Sequence, residues 1–187
     1  MAPLSTRYTM SKVLDGPEVT LGQMLAAKEA RAAAQQALLT AHPLASVLSV
    51  TLRIPGPVKT GHVLTTSFAE LLAALRQDYA HLLLDERVAH DASGDCALLA
   101  LAIDPWSLKQ AMLAYESADP FCQLADLDVC YLDGGQLTQL SRSRMQVAPR
   151  PCLVCGGDAK ACSRSRKHGL EAVYAVIDEI ALEGVAI

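Results

Sequence analysis

Residues 45–54, with the sequence ASVLSVTLRI, decide the fold of this 187-residue chain. Their apolar side chains follow one another almost without interruption, which is typical of a β-strand that other elements cover on both faces. Before this strand, a capping box that starts at Thr20 begins one long alanine-rich helix, predicted over residues 21–41. We therefore expect an interior strand at 45–54 with a helix ahead of it in the chain.

The residues after this strand predict alternating helices and strands. In order, we expect a helix from a second capping box at Ser67 to about Asp78, strands at 81–90 and 96–103 around a glycine turn, a helix from Asp104 to about Ser117, a strand at 127–132 with 136–141 paired back onto it, and a last helix at 169–183. From residue 45 to residue 132 the order is β-α-β-β-α-β. This order predicts an α+β fold of the ferredoxin-like class, with two helices on one face of an antiparallel sheet.

Length and composition limit the class of protein. With 51% hydrophobic residues, the chain can form one folded domain, which we expect at 20–187 after a flexible tail at 1–19. Aromatic residues make up only 4%, which argues against nucleic acid bound by base stacking. No apolar run approaches the roughly 20 residues of a membrane span, and the first residues lack the pattern of a secretory signal. We therefore expect a cytoplasmic protein with reduced thiols and no membrane partner.

Residues 142–168 form a segment rich in cysteine and arginine. They hold seven of the 16 basic residues and only one acid, in a chain of net charge −4. A basic segment in an acidic chain predicts an anionic ligand. Arg142, Arg150 and Arg164 are candidates for binding phosphate, because arginine forms bidentate pairs with phosphate oxygens. The alternative is an ordinary solvated face of arginines.

Cys152, Cys155, Cys162 and His168 have a spacing that could close a tetrahedral zinc site. The second pair is not a Cys-x-x-Cys, so cysteines that pack without metal and thiols that react remain alternatives. His168 could instead donate to phosphate or act as a general base, because basic residues surround it.

Two acids and two cations elsewhere are further candidates. Asp126 and Asp128 lie two residues apart on a predicted strand and therefore on one face, where Mg²⁺ would relieve their repulsion. Lys59 ends the proline-rich loop that follows the strand at 45–54, and such a loop would hold its ammonium group in place. Arg31 shares a helix face with Gln35. The alternatives are a solvated acid pair, a plain turn and a solvated polar helix face, respectively.

Several stretches together resemble the family of apo-citrate lyase phosphoribosyl-dephospho-CoA transferases, the holo-acyl-carrier-protein synthases of citrate lyase. The resemblance covers about residues 20–175 and keeps order and spacing. Its most specific parts are the Pro-Gly-Pro-x-Lys loop and the cysteine motif. The matching pieces are the helix with Lys28, Glu29, Arg31 and Gln35; His42-Pro43; residues 55–59; residues 126–129; residues 140–142; and residues 149–168.

The resemblance implies a nucleotidyltransferase. Such an enzyme moves the phosphoribosyl-dephospho-CoA group from 2′-(5″-triphosphoribosyl)-3′-dephospho-CoA to a serine of the citrate lyase acyl carrier protein and releases pyrophosphate. It implies Mg²⁺ on Asp126 and Asp128, and His168 or a carboxylate as the acceptor of the serine proton. The cations that would neutralise the leaving pyrophosphate are Lys59, Arg142, Arg150 and Arg164.

Residues 119–125, DPFCQLA, depart from the pattern of the family, which usually has His-Pro-Leu-Gly-Arg-Leu and an aromatic residue here. The missing arginine would remove one phosphate contact. Three alternatives are open for this departure: an altered substrate, the carrier protein of malonate decarboxylase as client, or reduced activity. A zinc-stabilised module that binds an acidic carrier protein without catalysis is the alternative from another class.

Overall fold

The computed structural model describes residues 11–183, which form an α+β fold with five α-helices and one five-stranded antiparallel sheet. The elements are α1 Leu21–Ala41, β1 Ser46–Leu52, α2 His62–Asp78, β2 Leu83–Asp91, β3 Gly94–Leu101, α3 Pro105–Tyr115, β4 Ala125–Asp133, β5 Gln136–Leu140, α4 Ala159–Ser165 and α5 Leu170–Glu183. A short 3-10 turn, Phe121–Gln123, precedes β4. Within the described residues, no helix is long and apolar enough to cross a membrane.

The sheet has the strand order β2-β3-β1-β4-β5, with β1 at its centre. β1 pairs antiparallel with β3 on one side and β4 on the other, so that Leu48 lies opposite both Leu99 and Val129. The first five residues of β1 are all buried, as the apolar run in the sequence predicts. The prediction that residues 136–141 pair back onto the preceding strand is confirmed by β5.

Helices cover both faces of the sheet. Leu48, Val50 and Leu99 face the larger core, which α2, α3 and α5 complete. Val47 and Leu98, whose side chains point to the opposite face, pack with Leu38 and Leu39 at the end of α1, and with Ala100 and Cys130. The sheet therefore lies between one layer of three helices and the single helix α1.

The predicted capping box at Ser67 is wrong. α2 begins at His62, and its N-cap is Gly61, six residues before the predicted cap. Leu64 is fully buried one turn before Phe68, so the apolar stripe of the helix extends ahead of Ser67 and draws this residue into the helix interior. The Ser67 hydroxyl is buried without a hydrogen-bond partner among the described residues.

Part of the predicted tail packs on the domain. Val13, Leu14 and Val19 are buried, and Asp178 of α5 accepts hydrogen bonds from Ser11 Oγ and from the Lys12 amide. Residues 1–10 of the predicted tail lie outside the described residues.

The first half of α1 does not rest on the sheet. Its cap is the one predicted, with the Thr20 hydroxyl accepting from the Gln23 amide. However, Leu21 is 76% exposed and Leu25 is 50% exposed, whereas Leu38 and Leu39 are fully buried. This half of the helix therefore stands over the sheet as a roof, with space beneath it.

Candidate functional site

A cavity of about 1120 Å³ lies between α1 and the sheet. Its roof is the inner face of α1, and its floor comes from β1, β2, β3 and the start of β4. The loop after β1 borders it, as does the cysteine and arginine segment with the start of α5. Chain segments far apart in sequence therefore contribute to one site.

Cations outnumber acids along this cavity. Six basic side chains line it, namely Lys28, Arg31, Arg53, Lys59, Arg87 and Arg166, together with three carboxylates, Asp91, Asp95 and Asp126. The whole chain has a net charge of −4, so this excess of cations is local. Such a lining attracts an anionic ligand.

The loop that carries Lys59 is held on two sides. Gly56 has φ +80°, and a Cβ atom there would lie 1.9 Å from the Tyr174 hydroxyl oxygen of α5. On the other side, the Val19 amide donates to the Pro57 carbonyl oxygen at 2.9 Å. These contacts fix the loop, and the Lys59 ammonium group donates to the Ile54 carbonyl oxygen at 2.6 Å.

Lys28 on α1 faces the same space as Lys59. Burial lowers the pKa of Lys59 below its ordinary value, and the positive charge of Lys28 lowers it further. Two ammonium groups at one cavity repel each other, and an anion between them would stabilise the charged form of both.

Asp126 and Asp128 project from the same face of β4, as predicted from their spacing. Asp126 lines the cavity, and its carboxylate accepts a hydrogen bond from Arg150 Nη1 at 3.1 Å. Burial raises the pKa of Asp128, and the charge of Asp126 raises it further. Asp128 is not among the residues that line the cavity.

Arg142 and Arg150 bind an acid of the chain itself. Glu116, just after α3, is buried, and its carboxylate contacts Arg142 Nη2 directly and Arg150 Nη2 at 3.6 Å. The buried Lys109 ammonium group lies 3.9 Å from the same carboxylate. These two arginines therefore lie behind the main cavity, beside a smaller one of about 460 Å³.

Three cysteines and a histidine converge at the edge of the cavity. The ligand atoms of Cys152, Cys155, Cys162 and His168 all lie within 4.8 Å of one another. Cys155 Sγ lies 3.6 Å from Cys162 Sγ and 3.3 Å from His168 Nε2. This cluster could hold a structural metal ion.

The turn between Cys152 and Cys155 has the geometry that brings their sulfur atoms together. The Gly156 amide donates to the Cys152 carbonyl oxygen at 2.9 Å, and the Cys152 amide donates to Gly157 at 2.6 Å. Gly156 has φ +69°, which a side chain would disfavour. Hydrogen bonds from Gly157 and then from His168 lower the pKa of the Cys155 thiol to about 6. A thiolate is the form that binds metal.

The structure brings together part of the predicted set of site residues. Those that line the main cavity are Arg31, Lys59, Asp126, Cys152, Cys162 and His168. Arg142 and Arg150 lie behind it, as described, and Arg164 lies on α4 outside its lining.

Sequence reasoning missed four cations of the cavity, Lys28, Arg53, Arg87 and Arg166, and it also missed Glu116. Lys28 precedes Arg31 by one helical turn, which was an available signal. Arg53 donates from Nε to the Gln123 carbonyl oxygen at 2.7 Å, and burial lowers its pKa to about 10. Nothing in the local sequence marked Glu116, whose two arginine partners lie more than 25 residues away.

The divergent residues 119–125 form the turn before β4. Phe121 and Cys122 are buried, and Asp119 accepts a hydrogen bond from the Cys122 amide at 2.9 Å. None of the seven lines the main cavity, although Gln123 lines the smaller one. They therefore reach the larger cavity only indirectly, because the Gln123 carbonyl oxygen accepts a hydrogen bond from the side chain of Arg53, which lines that cavity.

An α+β fold with a large cationic cavity and a carboxylate on its floor has a site suited to an anionic ligand. The family is more specific. A profile of the family described as "CitX: Apo-citrate lyase phosphoribosyl-dephospho-CoA transferase" matches residues 19–184, and the chain belongs to this family. The resemblance inferred from the sequence is thus confirmed.

Individual relatives agree with this result. A protein of Streptococcus pyogenes serotype M18 (strain MGAS8232), named "Probable apo-citrate lyase phosphoribosyl-dephospho-CoA transferase", is 34% identical over 170 residues, which are 88% of this chain and 86% of the relative. A protein of the same name from Vibrio cholerae serotype O1 (strain M66-2) is also 34% identical, over 87% of this chain and 91% of its own. "Protein CitXG" of Haemophilus influenzae is 34% identical over 89% of this chain, which corresponds to 36% of that longer protein.

Proposed function

We propose that this chain transfers the phosphoribosyl-dephospho-CoA group of 2′-(5″-triphosphoribosyl)-3′-dephospho-CoA to a serine of the citrate lyase acyl carrier protein. The observation that carries this proposal is the cationic cavity with Asp126 on its floor, in a chain that belongs to the CitX family. In the reaction, the serine oxygen forms a bond to the phosphorus next to the ribose. The bond from that phosphorus to the leaving pyrophosphate breaks.

The cations of the cavity bind the triphosphate in this proposal. Arg31 from the roof and Lys59 from the fixed loop lie on different walls, so each can reach a different phosphate group. Because Lys59 is held in place by its loop, little conformational entropy is lost when it binds. These charges stabilise the pyrophosphate as negative charge accumulates on it.

Arg142 and Arg150 act from behind the cavity. Glu116 holds both guanidinium groups, and Arg150 also donates to Asp126. In this position Arg150 orients the carboxylate of Asp126 and adds positive charge behind the triphosphate. Arg142 anchors the cysteine and arginine segment to α3.

Asp126 and Asp128 would hold Mg²⁺. Their carboxyl groups fit this ion, because the charge of Asp126 contributes to the raised pKa of Asp128 and a bound cation would favour the charged carboxylates. When bound, Mg²⁺ neutralises charge on the triphosphate. For the serine proton, the geometry favours a carboxylate over His168, since the Nε2 atom of His168 lies against the sulfur of Cys155.

The cysteine cluster would hold zinc as a structural ion. Three sulfur atoms and one imidazole nitrogen are the donor set that zinc prefers, and four protein ligands leave no open position for substrate. Metal analysis of protein purified without chelator tests this, and less than about a tenth of an equivalent of zinc contradicts it. Zinc-bound thiolates also fit a reducing compartment, the cytoplasm.

We also propose that the core of the domain has the ferredoxin-like topology. The strand order β2-β3-β1-β4, with α2 and α3 on one face, supports a ferredoxin-like core at 45–132 within one catalytic domain. β5, α1 and the segment after residue 142 are then additions to this core, and the cavity lies between α1 and the face of the core that lacks α2 and α3.

A transfer assay tests the activity. The protein, Mg²⁺ and the triphosphoribosyl precursor are incubated with the apo carrier protein of citrate lyase or, in parallel, that of malonate decarboxylase. We expect mass spectrometry to show the phosphodiester adduct on the citrate lyase carrier. An adduct on the malonate decarboxylase carrier alone would change the assigned client, and no adduct on either would contradict the proposal.

One variant distinguishes an enzyme from a protein that binds the carrier protein without catalysis. Asp128→Asn removes one proposed Mg²⁺ ligand, and we expect transfer to be abolished. Because the folded protein raises the pKa of Asp128, loss of its charge should not lower stability at neutral pH. Normal transfer by this variant would contradict the role of Asp128 and favour a different metal position.

A further inference from the structure

Of the seven basic residues of the cysteine and arginine segment, Arg166 lines the cavity and the other six fall into two groups. Three of them lie within 4 Å of a carboxylate of the chain: Arg142 contacts Glu116, Arg144 contacts Asp133, and Arg150 contacts Asp126. Lys160, Arg164 and Lys167 are exposed and form no ion pair with any acid in residues 11–183. The first group is neutralised within the protein. In the second group, Lys167 Nζ lies 3.7 Å from the Cys155 sulfur, whereas Lys160 and Arg164 are available to a partner.

Helical spacing separates these cations from the small-molecule site. Ala159, Cys162 and Ser163 of α4 line the cavity, and they share one helix face. Lys160 and Arg164 are one turn apart on another face, and neither lines the cavity. We call Lys160, Arg164 and Lys167 the basic rim, because they are next to residues that line the cavity but do not line it themselves.

We propose that the basic rim docks an acidic protein surface, that of the acyl carrier protein which presents its serine to the cavity. This inference rests on the proposed function. The rim adjoins Arg166 and His168, which line the cavity, so a protein bound at the rim is beside the phosphates that its serine must reach. The partner is a macromolecule because the phosphates of a small substrate lie inside the cavity, on the opposite side of α4.

The charge distribution determines the chemistry of the partner. The chain as a whole carries a net charge of −4, so an acidic protein is repelled by most of its surface and attracted at the rim. The rise of an α-helix places Lys160 and Arg164 about 6 Å apart along the axis, which is also the spacing of two carboxylates one turn apart on a partner helix. Residues 142–168 contain no Phe, Tyr or Trp, so the rim has no surface for stacking bases.

Charge reversal at the rim tests the proposal. For Lys160→Glu/Arg164→Glu we expect kcat/KM for the carrier protein to fall at least about tenfold through a higher KM, and its salt dependence to flatten. Binding of inorganic tripolyphosphate, measured by calorimetry, should stay unchanged because the cavity is intact. Zinc content and thermal unfolding check that the fold is retained.

Lys12 supplies the matched control. Like Lys160 it is an exposed lysine without an ion pair among the described residues, and it lies beside α5 rather than at the rim. Lys12→Glu makes the same change of charge as Lys160→Glu, so equal effects of the two would overturn the proposal. Unchanged kcat/KM in the double variant would also overturn it, and so would an equal loss of tripolyphosphate affinity, because Arg164 would then belong to the phosphate site.

Measuring the affinity for the apo carrier protein tests the basic rim independently of the transfer reaction. If the protein transfers nothing, the proposed function fails, but the affinity of each variant for the apo carrier protein still measures docking. We expect that affinity to fall for the double variant and not for Lys12→Glu. If duplex DNA binds the wild-type protein at the rim and the carrier does not, the partner is a nucleic acid and the proposal is wrong.

Discussion

The carboxylate of Glu116 lies among three basic side chains, those of Lys109, Arg142 and Arg150. The sequence displays the arginines as a dense run, and it is natural to assign all of them to an external anion. Their internal partner is 26 residues before Arg142, at the C-terminal end of α3, where no local sequence pattern links it to the arginines. A cluster of arginines therefore predicts an anion but does not say whether the protein supplies it.

Glu116→Gln should destabilise the protein, because it leaves three cations near one another without their acid. Removing one partner of a fully buried ion pair costs about 3–5 kcal/mol, and we expect about 2 kcal/mol or more here, since the two arginines are partly exposed. Chemical unfolding measures the change. The matched control is Glu86→Gln, which breaks the exposed pair with Arg76 and should cost less than about 1 kcal/mol. Equal losses in both variants would contradict the role of Glu116.

Lys28→Met should change the pH dependence of anion binding. Lys59 binds an anion only when protonated, so affinity falls as the pH rises through the pKa of Lys59. The charge of Lys28 lowers that pKa, and its removal should therefore move the fall in affinity to higher pH. Calorimetric titration with tripolyphosphate at several pH values measures this. Lys12→Met is the control, and the expectation fails if both variants keep the wild-type profile.

At the scale of elements, local chemical signals predicted α1 and the strands best. The helix at Leu21–Ala41 agrees with its prediction at both ends, because the Thr20 cap and the pair His42-Pro43 act on neighbouring residues. α2 was predicted to start too late, since Ser67 has the local features of a cap while the buried Leu64 belongs to the helix through tertiary packing. The cavity was beyond sequence reasoning altogether, because it depends on how far the first half of α1 stands from the sheet.

The loop between β1 and α2 combines two constraints at Gly56. Gly56→Ala would place a methyl group against the Tyr174 hydroxyl and also strain a backbone with φ +80°. Gly135 has nearly the same conformation, φ +82°, with nothing within 4 Å of an added Cβ, so Gly135→Ala isolates the backbone strain. We expect that strain to cost about 1 kcal/mol or more. Gly56→Ala should cost clearly more, and should also weaken tripolyphosphate binding through Lys59.

The comparison of these two glycines is made by chemical unfolding and by calorimetry. Tripolyphosphate affinity should be unchanged in Gly135→Ala, because that turn joins β4 to β5 away from the cavity. If Gly56→Ala unfolds no more easily than Gly135→Ala, the contact with Tyr174 does not restrain the loop. If its stability falls but its affinity does not, the loop does not position Lys59.

At the scale of the whole molecule, the cavity has walls that are joined to the sheet in different ways. The floor is part of the hydrogen-bonded sheet, whereas residues 152–168 contain one seven-residue helix and few buried apolar side chains. A wall with so little core of its own is held by the ion pairs of Arg142 and Arg150, which precede it in the chain, and by the cysteine cluster. A metal ion bound there would stabilise this wall specifically, because its ligands Cys152, Cys162 and His168 also line the cavity.

Metal removal should therefore affect the cavity wall and the reaction differently. After dialysis against a strong chelator, we expect a lower temperature of unfolding and weaker binding of tripolyphosphate, because the wall loses its cross-link. Zinc alone should restore both properties, and transfer should return only when Mg²⁺ is also present. Full stability after zinc is removed would show that the arginine contacts hold the wall by themselves. Recovery of stability by Mg²⁺ alone would mean that carboxylates, rather than the thiolates of the cluster, bind the stabilising ion, because Mg²⁺ prefers oxygen ligands.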